Sequence, residues 1–181
     1  MNYQNITNKV ETLIEKFKPI AENFCNLKLE DIAVESSSHG LVEYKPNKVS
    51  VNPRIIDIID NEDLLELLVA EGLGEHIVYT LNPKAFEFLI SKDNIKVKII
   101  MGGFKNYFCF NVLPKNMLSD DIIGLANLVL NTYDAYNKGY NFFRIISSNL
   151  GKEEIFNVIK NLDVTLEELE NPDLYIERRK K

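Results

Sequence analysis

At 181 residues, 45% hydrophobic and 27% charged, the chain suits one globular domain with its own core. A net charge of −6 excludes the broad basic field on which nucleic-acid binding relies. No apolar run approaches the ~18–20 residues of a membrane span, and Met1-Asn2-Tyr3-Gln4-Asn5 lacks the basic and apolar regions of a secretory signal.

The basic cluster Arg178-Arg179-Lys180-Lys181 reads as a solvated tail, 176–181, behind a single domain, 1–175. Cys25 and Cys109 are isolated. Without a signal segment they read as two reduced thiols in a cytoplasmic protein. Cys109 lies in Tyr107-Phe108-Cys109-Phe110, a run suited to a buried strand.

Val10, Leu13, Ile14, Phe17 and Ile20 recur at helical steps and predict a first helix from about Asn5 to Asn23, its last turn bent or shortened by Pro19. Three extended segments follow: Asp31 to Ser36, Leu41 to Tyr44 and Lys48 to Val51. His39-Gly40 is a turn, and Pro46-Asn47 closes a hairpin. Asn52-Pro53 then starts a helical turn, Arg54 to Ile59. A central helix, capped by Asp60 or Asn61, runs to about Leu81 before Asn82-Pro83 stops it. A short helix spans Lys84 to Ile90.

Alternation in Ile95 to Ile100, the turn Gly102-Gly103 and the run Tyr107 to Val112 predict a second hairpin. Ser119 caps a long helix, with Asp120-Asp121 in its first turn and its end near Ile146. Gly151 precedes a helix from Lys152 to Asn161, and Thr165-x-x-Glu168 opens another with a capping-box pattern. The order of elements predicts an α+β fold.

The central helix carries two oddities. Glu71 and Glu75 interrupt an apolar line through Leu64, Leu67, Leu68 and Val78. Like charges one turn apart cost about 0.2–0.5 kcal/mol even when exposed, and burial adds to that. Gly72 and Gly74 cost roughly 1 kcal/mol each relative to alanine, which suggests close approach by a backbone or a ligand. Together they mark a candidate functional site.

The hairpin, then Val51-Asn52-Pro53, then a capped helix entering Val69-Ala70-x-x-Leu73-Gly74-x-His76, resembles the small soluble zincin-type metallopeptidases, the minimal gluzincins of archaea in particular. In that family the helix carries His-Glu-x-x-His: two histidines hold zinc and the glutamate activates water. Aligned on Leu73-Gly74, the motif falls on Glu71, Gly72 and Glu75. Both zinc histidines are thus replaced and the general base is gone. His76 does not restore a pair, because its one-turn neighbours are Gly72 and Thr80.

The family's third ligand comes from a later helix, where Asp134 is the candidate. Glu71, Glu75 and Asp134 would be an all-oxygen set, suited to Mg²⁺, Ca²⁺ or Mn²⁺ rather than zinc. The alternative is pairing of the carboxylates with Arg54, Arg144 or a lysine. The resemblance covers Leu41 to Leu81 and the region of Tyr133. It implies a zincin-like arrangement: a small mixed sheet with a hairpin packed on a central buried helix, followed by long C-terminal helices.

Other candidates are weaker. His39 beside Ser36-Ser37-Ser38 lacks the Gly-x-Ser-x-Gly of a hydrolase elbow, and Gly102-Gly103 lacks the Lys-Ser/Thr of a phosphate loop. Tyr133, Tyr136 and Tyr140 share a helix face, either as packing or as a partner-binding surface. Three functions follow. The first is a non-catalytic metallopeptidase-like protein that binds a protein or peptide partner. The second is a hard-cation-binding protein or hydrolase using Glu71, Glu75 and Asp134. The third is an interaction domain unrelated to peptidases. No nucleic-acid or membrane partner is expected, and homo-oligomerisation is left open.

Overall fold

The computed structural model of the protein describes residues 3–37, 42–52, 62–84, 87, 94–114 and 133–181. Among them are seven helices and one three-stranded mixed sheet, an α+β fold. The residues divide into two units, Met1–Ile77 with Cys109–Val129, and Val78–Phe108 with Leu130–Lys181. The expected turn at His39-Gly40, the helical turn Arg54 to Ile59, the cap at Asp60 or Asn61, most of the helix Lys84 to Ile90 and the start of the long helix at Ser119 lie outside the described residues.

In the first unit, helix α1 spans Tyr3–Cys25. Its buried stripe is Ile6, Val10, Ile14, Phe17, Ala21 and Cys25, at steps of three and four that hold one face inward. Ile20 stands off this stripe and is exposed. Pro19 neither ends nor shortens the helix, which continues for six residues beyond it. The chain stops instead at Asn26, which adopts the left-handed conformation (φ 51°) that asparagine tolerates better than most residues.

Strands β1 (Ala33–Ser36), β2 (Val42–Lys45) and β3 (Lys48–Val51) form a sheet in the order β1-β3-β2. β2 and β3 are the antiparallel hairpin expected around Pro46-Asn47, with Lys45 opposite Lys48. Asn47 takes the turn's left-handed position (φ 59°). β1 pairs parallel with β3. Val49 and Val51 are buried, and Val49 lies over helix α2 (Glu62–Leu81), with its Cγ2 at 4.0 Å from where a Gly72 side chain would begin. The hairpin therefore packs on the central helix. α2 is apolar around most of its circumference, and Leu64, Leu65, Leu67, Leu68, Leu73 and Ile77 are all buried, as a core helix requires.

The second unit contains the main departure from the sequence reading. Residues 95–112, expected as two strands with a glycine turn, form one helix, α3 (Ile95–Val112). The alternation at Ile95-Lys96-Val97-Lys98 is brief. The buried set Val97, Ile100, Met101, Phe104 and Phe108 has helical spacing, and Ile95 is exposed. Cys109, in the last turn of α3 and assigned to the first unit, is buried as expected, but on a helix.

The two glycines are not a turn. They let α3 meet helix α4 (Tyr133–Leu150) at backbone distance. A Cβ on Gly103 would lie 2.2 Å from the Gly139 carbonyl carbon, and a Cβ on Gly139 would lie 1.9 Å from the Ile99 oxygen. A Cβ on Gly102 would fall inside the Tyr136 ring. The helix-propensity cost of each glycine, about 1 kcal/mol, is offset by packing that no larger residue permits.

Around this crossing sits an aromatic core. The Phe104 ring lies 6.1 Å from Phe143 and 6.5 Å from Phe156, and Phe142 lies 5.4 Å from Tyr175; these are edge-on distances that aromatic pairs favour. Gly151 (φ 90°) separates α4 from α5 (Glu153–Asn161). α6 (Leu166–Glu170) opens with the expected capping box between Thr165 and Glu168, and α7 (Pro172–Arg179) begins on a proline.

The residues expected as a basic tail begin inside α7. Arg178 Nε donates to Glu168 at 2.6 Å, and Arg179 Nε pairs with Glu154 at 2.6 Å. Burial pushes the Glu168 carboxyl up, but its bonds from Arg178 and the Thr165 N–H outweigh this and hold it below the usual carboxylate range.

The glycine crossing has a direct test. Gly103→Ala and Gly139→Ala are expected to destabilise the full chain by about 3 kcal/mol each, the upper end of the over-packing range, as read by chemical denaturation. A loss below ~1 kcal/mol at both positions would contradict a backbone contact here.

Candidate functional site

Helix α2 carries the residues that the sequence singled out. Glu71 is buried, and Glu75, one turn on, is half-buried. The side of Gly72 faces Val49 of the hairpin, its nearest described neighbour, at an ordinary contact distance. Close approach of another backbone, expected at this glycine, instead occurs at Gly103 and Gly139.

His76, on the same helix, has no exposed surface. Its Nε2 lies 3.2 Å from the Glu30 carbonyl oxygen, and its Nδ1 meets the Tyr44 hydroxyl at short range. The Glu30 carbonyl can only accept, so Nε2 carries the proton and Nδ1 accepts from Tyr44. The Tyr44 oxygen in turn accepts the Asn47 N–H at 3.3 Å, and the Asn47 amide donates to the Glu30 carboxylate at 2.5 Å. One imidazole thus ties the core helix to β2, to the hairpin turn and to the segment before β1.

The electrostatics favour a neutral ring. Burial lowers the His76 pKa from its ordinary value, and the nearby Lys18 ammonium acts in the same direction. The Glu30 carbonyl and carboxylate oppose this but do not prevail. Lys18 is itself held by Asp31 at 2.5 Å.

Asp134, the expected third metal ligand, belongs to the second unit. Its side chain is 88% exposed and pairs with Lys138 at 3.6 Å. Among the described residues, no group of three or more His, Cys, Asp or Glu side chains is arranged to hold a metal ion. Arg54, a candidate partner for the carboxylates, lies outside the described residues, and Arg144 is exposed.

Of the tyrosines on α4, Tyr136 covers Gly102 and lies beneath the buried Lys105, whose Nζ is 5.2 Å from the ring centre. This is a helix-packing position. Tyr140 is half-buried, and the side chain of Tyr133 lies outside the described residues. A groove of about 340 Å³ runs between α1 and the N-terminal half of α2, lined by Leu13, Leu65 and Glu66 among others. Lys9 pairs with Glu62 there at 3.2 Å. Glu71 and Glu75 do not line it.

No family model matches the chain, and neither a curated protein nor a solved structure matches it. Among the described residues, no helix is long and apolar enough to cross a membrane.

The partners of His76 escaped the sequence reading, although one signal was present. Alternation along Val42-Glu43-Tyr44 sets Tyr44 on the buried side of the hairpin, where a tyrosine hydroxyl needs a partner. The Glu30 carbonyl gave no signal.

The bridge predicts a pH dependence with a definite sign. A folded-state pKa below the unfolded 6.5 means that the unfolded chain binds the proton more tightly. The stabilisation is therefore complete above 6.5 and is lost as pH falls from 6.5 toward the folded value. Tyr44→Phe should strand Nδ1 and cost about 1–3 kcal/mol at pH 8. Denaturant titrations between pH 8 and pH 5 check both. A flat profile in the wild type and a neutral Tyr44→Phe would contradict the bridge.

Proposed function

We propose that this is a non-catalytic, metallopeptidase-like protein that acts in the cytoplasm by binding a protein or peptide partner. The observation that carries the reading is the state of His76. It is the helix's single imidazole, it has no exposed surface, and both ring nitrogens are committed to bonds within the first unit. A zinc ligand needs an unprotonated nitrogen aimed at the metal. At position 71, where the resemblance calls for a zinc histidine, there is a buried glutamate, and at position 72, where it calls for a general base, there is a glycine. A helix that carries chemistry in the zincin-type enzymes thus serves here as core. What is left for function is the surface built on it. The two buried, separate cysteines suit a reducing compartment.

Purified full-length protein incubated with zinc and an unfolded protein substrate should give no chelator-sensitive cleavage. Chelator-sensitive cleavage that disappears in Glu71→Gln or Glu75→Gln would overturn the reading.

A further inference from the structure

We draw no further inference here: the strongest candidate, the groove of about 340 Å³ between α1 and the N-terminal half of α2, has its acidic side chains Glu62 and Glu66 already paired with Lys9 and Lys16, and nothing in the structure shows what covers it.

Discussion

A neutral histidine inside an apolar core is the constraint around which the first unit is arranged. His76 reaches no water, so each ring nitrogen needs a protein partner, and leaving one unpaired would cost about 1–3 kcal/mol. The partners come from segments that local propensity alone would not bring together. Tyr44 is on the hairpin, and Glu30 lies between α1 and β1. The same ring fixes the face of β2 that turns inward. A one-residue slip of that strand would move Tyr44 to the opposite side of the sheet and break the bridge. The hairpin register and the histidine thus determine each other, and the left-handed Asn47 joins both through its N–H to Tyr44.

The second unit depends on a different constraint, namely how closely two helices can approach. Gly103 and Gly139 have no side chains to hold α3 and α4 apart, and Tyr136 fills the space beside Gly102. That approach sets the distance at which the Phe104, Phe142 and Phe143 rings interlock. The C-terminal helices are then fastened by charge: Glu154 and Glu168, both shielded from solvent, hold Arg179 and Arg178. Ion pairs at a mostly solvated surface contribute little. These are stronger candidates, because the carboxylates are 12% and 8% exposed and Glu168 also accepts from the Thr165 N–H.

Much of the architecture was legible because it rests on local chemistry. The α1 stripe, the Pro46-Asn47 hairpin, the stop after Leu81 and the Thr165 capping box are each written in a few adjacent residues. The failures occurred where long-range contacts decide. Ile95-Lys96-Val97-Lys98 alternates as a strand would, and Gly102-Gly103 reads as a turn until the chain some 36 residues later supplies Gly139. At the candidate site, the burial of Glu71 on an apolar helix face was legible from the spacing of its neighbours, but the structural employment of His76 was not. Its partners lie 32 and 46 residues away. The sheet order β1-β3-β2 was likewise invisible, since nothing local encodes it.

The central claim is that α2 is a core element whose histidine is committed to the fold and unavailable to a metal. Ring nitrogen shifts of His76 in labelled full-length protein test it most directly. The account predicts a neutral ring at pH 7, protonated at Nε2 and unprotonated at Nδ1, whose shifts do not move when zinc is added in excess. A charged ring, or a zinc-dependent displacement of the Nδ1 or Nε2 signal, would contradict it.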